Sequence, residues 1–221
     1  MSAGPPMLFA DRREAGRILA GLLTQYADRD DVLVLALPRG GVPVAFEVAH
    51  KLRAPLDVFI VRKLGVPGHD ELAMGAIATG GVRVVNEDVV VPLGLSARVI
   101  DAVAAREEKE LERRERIYRG SRPPPDVRDR TIILVDDGVA TGSTMRAAMA
   151  ALRKQRPARI VVAVPVAAPE TCEEFKTEVD ETVCAATPRM FNGVGRWYED
   201  FSQTSDEEVH ELLAQARSYA G

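Results

Sequence analysis

Thr131–Thr144, TIILVDDGVATGST, decides how this chain folds. The run Ile132, Ile133, Leu134, Val135 predicts a strand buried on both faces. Asp136 and Asp137 follow at its C-terminal end, the edge at which open α/β sheets take their ligands. Gly138 to Thr144 then forms a small-residue turn that opens a helix running through Met145 to Gln155. That turn offers backbone N–H groups, the hydroxyls of Thr141, Ser143 and Thr144, and the positive end of a helix. Together these make an anion cradle suited to a phosphate monoester. Carboxylates beside a phosphate cradle call for a ligand bearing both hydroxyls, or a bridging metal, and a phosphate. A phosphorylated sugar fits.

Spacing removes two rival motifs. A Walker A loop needs four residues between its glycines and then Lys; Gly138 and Gly142 are separated by three and Ser143 follows. The dinucleotide fingerprint is missing from this junction, and Gly193 and Gly195 are followed by Tyr198 where a third glycine belongs. VDDGVATGST resembles instead the phosphoribosyl pyrophosphate (PRPP) signature of type I phosphoribosyltransferases: apolar residues, two acids, small residues, then T-G-x-T. The competing reading is a strand end with solvated acids and a helix capped by Thr141 or Ser143. A cap, however, does not call for a preceding acid pair.

The 221 residues suit one domain spanning 1–221, and 46% apolar content suffices for one sizeable core. A net charge of −4 argues against a broad nucleic-acid-binding face. The N-terminal MSAGPPMLFADRR has no apolar segment of signal-peptide length, and no apolar run reaches the roughly 18 residues that span a bilayer. A soluble cytoplasmic protein without membrane or nucleic-acid partners is the expectation. Cys172 and Cys184 form no C-x-x-C pair and have no nearby His, so they read as two thiols rather than metal ligands.

Strand and helix patterns alternate along the chain, which predicts an α/β fold with a doubly wound, mainly parallel sheet. Residues 11 to 27 have helical spacing, with Ile18, Leu19, Leu22, Leu23 and Tyr26 as the apolar stripe and Asp11 as N-cap. Strands are expected at 32–37, 56–62, 159–166 and near 179–185, and helices at 42–52 and 169–176. Residues 63 to 73 read as a loop, and 74–79 with 82–86 as a hairpin turning at Gly80-Gly81. The core spans about 30–186. Residues 95 to 120 form a charged inserted helix, with Glu110–Arg114, Glu112–Arg116 and Glu115–Arg119 at i,i+4 and a thin stripe of Ile100, Val103, Leu111, Ile117 and Tyr118. It reads as a solvated helix or lid bridging the core, with a subunit interface as the alternative. A final helix spans 206–219, with Ser205 as N-cap and Glu208 at the capping-box position.

The family resemblance, from about Val32 to Phe201, extends to other strand ends. LPRGGVP is similar to the family's pyrophosphate loop: Gly40 and Gly41 permit close backbone approach, Arg39 supplies a charged fork, and Pro38–Arg39 is the expected cis peptide. VRKLGVPGHDELAMGA resembles the flexible catalytic loop of adenine phosphoribosyltransferases, beginning at Arg62 and Lys63. His69 and Glu71 in it are candidates for positioning or proton transfer. The loop 186–203 corresponds to the hood over the nucleobase. Aromatics are only 5% of the chain, yet Phe191, Trp197, Tyr198 and Phe201 cluster there, with Phe191 and Trp197 chosen to stack on the base. A hydrophobic plug is the rival reading.

The resemblance implies transfer of the 5-phosphoribosyl group from PRPP to a nitrogen base, with release of pyrophosphate. In it Ala140, Thr141, Gly142, Ser143 and Thr144 bind the donor. Asp136 and Asp137 serve the ribose hydroxyls and, through water, a magnesium ion. Arg39, Arg62 and Lys63 stabilise the pyrophosphate. Hypoxanthine-guanine and xanthine enzymes carry an Asp three positions after the second acid; here that residue is Ala140, which disfavours a 6-oxopurine acceptor. A homodimer is the expected assembly. The alternative functions are a PRPP- or nucleotide-sensing regulator and a non-transferase enzyme of a ribose phosphate.

Overall fold

Alternate residues of the strand Val32–Ala36 (β1) enter two different cores, which is what a sheet covered by helices on both faces requires. The computed structural model describes residues 9–219, apart from the side chains of Asp70, Glu71 and Tyr219. Val32, Val34 and Ala36 of β1, with Ile133 and Val135 of Thr131–Val135 (β6), join one core. Among the helices packed into it are Arg12–Gly21 (α1), Gly41–Leu52 (α2) and Asp206–Tyr219 (α7). Leu33 and Leu35, with Ile132 and Leu134, join the other, under Ser143–Lys154 (α5) and Pro169–Glu178 (α6).

The main sheet is parallel throughout. Its order is β2-β1-β6-β7-β8, where β2 is Leu56–Val58, β7 is Arg159–Val166 and β8 is Glu181–Ala186. The chain leaves β1 in one direction and β6 in the other, so the topological switch point, and with it a crevice, lies between their C-terminal ends. The doubly wound expectation holds. Asp11 caps α1 by accepting from the Glu14 N–H at 2.7 Å, and Ser205 accepts from the Glu208 N–H at 3.1 Å.

Several expectations need correction. Residues 63 to 73 are not a loop: Val61–Val66 (β3) and His69–Ala78 (β4) pair antiparallel around Pro67-Gly68, and Val82–Val85 (β5) completes a separate three-stranded sheet. The expected strand 56–62 is therefore two strands in two sheets. Gly65, Pro67 and Gly68 signal a break in the strand pattern, and the tight turn of the hairpin uses them. On α1 and the two residues after it, Ile18 and Leu22 are 45% and 49% exposed, while Ala15, Leu19 and Leu23 are buried; the true stripe is rotated toward the small residues. Cys172 and Cys184 are joined in a disulfide that ties α6 to β8. Nothing in their spacing signals it, because the strand-return geometry brings them together.

A one-turn helix, Glu87–Val90 (α3), precedes the charged helix, Ala97–Arg119 (α4). The latter is neither free nor merely solvated. Ile100, Val103, Leu111 and Tyr118 are buried, whereas Ile117 is exposed. Glu110–Arg114 and Glu115–Arg119 pair as expected, at 2.8 and 2.9 Å. Two further charges face inward: Arg119 bonds Asp57 at 2.9 Å, and Glu107 bonds Arg62 at 2.7 Å. Among the described residues, no helix is long and apolar enough to cross a membrane.

Candidate functional site

The switch-point crevice is built from three loops. The first is Asp136–Gly142, between β6 and α5. Asp136, Gly138 to Met145 and Val194 line a hollow of about 240 Å³. The loop is held from behind rather than from the ligand side. Thr171 Oγ1 donates to the Ala140 carbonyl at 2.7 Å, and Arg146 Nη1 donates to the Thr141 carbonyl at 2.8 Å. The Val139 N–H donates to the Val166 carbonyl at 2.9 Å, and the Ala168 N–H to the Val139 carbonyl at 3.0 Å. Gly142 stands immediately before the helix at φ +75°, where a Cβ would lie 2.7 Å from Phe175 Cζ. Only glycine meets both demands. Thr141, Ser143 and Thr144 are left exposed at the N-terminus of α5, an arrangement that suits an anion.

The second loop is Pro38–Gly41. The Pro38–Arg39 peptide is cis, as the resemblance implied. A Cβ on Gly40 would overlap the Asp137 carboxylate, and one on Gly41 would stand 2.8 Å from the Val135 carbonyl oxygen and 3.0 Å from Asp136 Cα. The two glycines thus let the β1 loop lie directly on the acid pair. Arg39 lies 3.8 Å from Asp206, the first residue of α7, whose carboxylate also accepts from the Tyr118 hydroxyl at 2.6 Å.

Burial drives the Asp136 carboxyl well above the ordinary carboxylate range, and the adjacent Asp137 charge adds to that. Burial also raises Asp137, while the Arg12 guanidinium pulls it the other way. Arg12 Nε donates to Asp137 Oδ2 at 2.8 Å. The Tyr198 hydroxyl donates to the Asp137 backbone carbonyl at 2.5 Å; burial, then the Asp137 charge, raise this phenol.

The third loop is 186–203. Trp197 is buried in a plug with Phe9, Ala15, Val166 and Tyr198, so its ring is not presented to a ligand; Phe191 is partly buried against the same cluster. Of the two rings expected to stack on a base, only Phe191 retains an open surface. The plug forms because the segment pairs with the N-terminal one: the Phe9 N–H donates to the Trp197 carbonyl at 3.0 Å, and the Glu199 N–H returns to the Phe9 carbonyl at 2.9 Å.

Arg62 and Lys63 diverge. Neighbours on a strand point to opposite faces. Arg62 therefore turns to Glu107 of α4, while Lys63 turns to a cavity of about 430 Å³ under α5 that it shares with Ser143, Arg146 and Ala147. The resemblance sets both cations at one pyrophosphate; in the structure Arg62 is paired with Glu107 at 2.7 Å, while Lys63 lines the cavity. His69 is exposed at the start of β4, and the Glu71 side chain lies outside the described residues.

A phosphoribosyl transferase domain model matches residues 10–196. The chain belongs to this family. It is 49% identical over 209 residues to Rv0571c of Mycobacterium tuberculosis, which carries a provisional name as a phosphoribosyl transferase; the match covers 95% of this chain and 47% of that protein. The chain thus spans about half the length of that curated relative. It is 31% identical over 182 residues to the bifunctional protein PyrR of Roseiflexus sp., covering 77% of this chain and 91% of that one. The crystal structure of TT1426 from Thermus thermophilus is 42% identical, with a TM-score of 0.84 over 95% of this chain and 99% of the other.

The phosphoribosyl transferase fold therefore accounts for the sheet order, and the Asp136–Gly142 loop occupies its switch point. The structure adds site residues that no local signal announces. Arg12 is 125 positions from Asp137. Thr171 and Arg146 act through carbonyls of the cradle loop, and Glu107 is one of many acids on a charged helix.

Proposed function

We propose that the chain transfers the 5-phosphoribosyl group of PRPP to a nitrogen base, releasing pyrophosphate. The C1–oxygen bond breaks with its electron pair leaving on pyrophosphate, a C1–nitrogen bond forms, and the base nitrogen gives up its proton. The observation that carries this reading is the contact of Gly40 with Asp137. It brings the cis-peptide loop, the acid pair and the phosphate cradle into one crevice.

In this reading the α5 N-terminus, with Thr141, Gly142, Ser143 and Thr144, holds the 5′-phosphate. Asp136 and Asp137 accept from the ribose hydroxyls and favour the positive charge that grows on the ring. Gly40, Gly41 and Arg39 receive the pyrophosphate, and Lys63 reaches it from the β3–β4 hairpin. Arg62 fixes that hairpin to α4. Phe191 covers the base. The Ala140 side chain lies at the hollow without a carboxylate, which supports an acceptor other than a 6-oxopurine.

The donor set fits a magnesium ion. Among the described residues no group of three or more His, Cys, Asp or Glu could hold a metal. Magnesium, however, keeps several waters and takes one or two carboxylates plus phosphate oxygens. Asp136 and Asp137 would hold it through water, and it would supply charge neutralisation to the leaving pyrophosphate.

Calorimetry with PRPP and magnesium, followed by a pyrophosphate-release assay across purines and pyrimidines, tests the reading. Donor binding with release for one class of base is expected. Binding without release for any base would favour a PRPP-sensing role, and no PRPP binding removes the proposal. Asp137→Asn is expected to cut turnover more than PRPP affinity.

A further inference from the structure

We infer that Arg12 is the positioning residue of the ribose subsite, linking the carboxylate of Asp137 to the segment that covers the site. This rests on the donor-site reading above. Three contacts of one guanidinium carry it. Nε donates to Asp137 Oδ2 at 2.8 Å, and Nη1 donates to the Ser202 carbonyl at 2.7 Å. The guanidinium carbon lies 3.9 Å from the centroid of the Phe201 ring, within range of a cation–π contact. Both partners of the ion pair are largely enclosed, with side chains 11% and 14% exposed.

The carboxylate needs such a partner. The χ2 torsion of aspartate is broad and nearly two-fold, so its rotamer alone does not aim its oxygens. Arg12 takes Oδ2, on the side where Gly40 crowds the carboxylate, and this leaves Oδ1 to meet a sugar hydroxyl. Arg12 is itself held. Its helix begins at the Asp11 cap, and Phe201 and Ser202 belong to the segment stitched to residues 9 and 10 by backbone hydrogen bonds, including the Asp200 N–H to the Ala10 carbonyl at 2.9 Å. The Phe201 ring packs on Tyr198 at 5.0 Å, and the Tyr198 hydroxyl bonds the Asp137 backbone. Main chain and side chain of the same aspartate are thus gripped by one aromatic segment through two routes. Arg12 touches no substrate atom; it sets the aim of a residue that does.

The test separates the sugar from its phosphate. Inorganic phosphate and ribose 5-phosphate are titrated into wild type, Arg12→Ala, Arg12→Lys and Phe201→Leu, with thermal unfolding recorded for each. Arg12→Ala is expected to weaken ribose 5-phosphate about tenfold, the loss of one charge-assisted hydrogen bond, and to leave inorganic phosphate binding unchanged. Arg12→Lys should recover part of that loss, because a lysine restores the charge without the planar fork. Phe201→Leu should move the same ratio in the same direction by less, and it serves as the probe if Arg12→Ala fails to fold. In steady state kcat should fall as the PRPP KM rises, because a misaimed Asp137 loses part of the charge stabilisation that Asp137→Asn removes. Equal weakening of both ligands, or an unchanged ribose 5-phosphate affinity, overturns the inference. Should wild type bind inorganic phosphate and not ribose 5-phosphate, the donor-site reading falls and this inference with it.

Discussion

Arg119 Nε lies 2.9 Å from Oδ1 of Asp57, and both residues are buried. The pair fastens the C-terminal end of α4 to β2, and the same guanidinium also donates to the Val58 carbonyl and to Glu115. Removing one partner leaves a buried charge uncompensated. Arg119→Ala is expected to cost about 3–5 kcal/mol of unfolding free energy, measured by urea denaturation. A loss below about 1 kcal/mol, the range of an exposed pair, would show that solvent already satisfies Asp57.

Gly142 and Thr171 test the cradle from behind. Gly142→Ala meets both a positive φ and the Phe175 ring, so it should weaken inorganic phosphate binding and lower the melting temperature together. Thr171→Val keeps the shape and removes only the hydroxyl that donates to the Ala140 carbonyl. It should cost about 1 kcal/mol of stability and raise the PRPP KM. An unchanged KM in Thr171→Val would mean the loop holds its shape unaided.

Tyrosine ionisation reports on burial. Burial and the Glu181 hydrogen bond push Tyr26 from 10 up to about 12, burial and the Asp206 hydrogen bond do the same for Tyr118, and Tyr198 is raised as well. A raised folded-state pKa means the folded protein binds the proton more tightly than the unfolded chain. The stability contribution is therefore whole below pH 10 and is lost as pH rises from 10 through 12. Tyrosinate absorbance should lag behind that of a model peptide until alkaline unfolding releases it in one step. Ordinary titration near pH 10 for all tyrosines would contradict the buried placement.

The Cys172–Cys184 bridge closes a short loop, with a sequence separation of 12. Replacing both cysteines by serine, or adding a dithiol, should cost about 3 kcal/mol through the freed unfolded chain. For a chain of this length each kcal/mol lowers the melting temperature by about 2–4 °C. Identical melting with and without dithiol would show that the bridge does not form in solution.

Much of the site was legible because its residues are contiguous. TIILVDDGVATGST encodes strand, acids, turn and helix in fourteen positions, and PRGG carries its glycines next to its strand. Periodicity likewise announced the two-faced sheet, since β1, β6 and β7 have no polar face. The hairpin of β3 and β4 was hidden by its own turn residues, and the burial of α4 by its surplus of charge.

The doubly wound phosphoribosyl transferase fold and the strand ends that carry the chemistry are written in local signals, which depend on backbone period, chirality and turn geometry. Which charges neutralise one another emerges only once the helices are packed on the sheet. Arg12 goes to Asp137, Arg62 to Glu107 and Arg119 to Asp57, while Lys63 faces a cavity. Pairing of charges across 125, 45 or 62 positions depends on how helices settle on the sheet, and no spacing rule reaches that far.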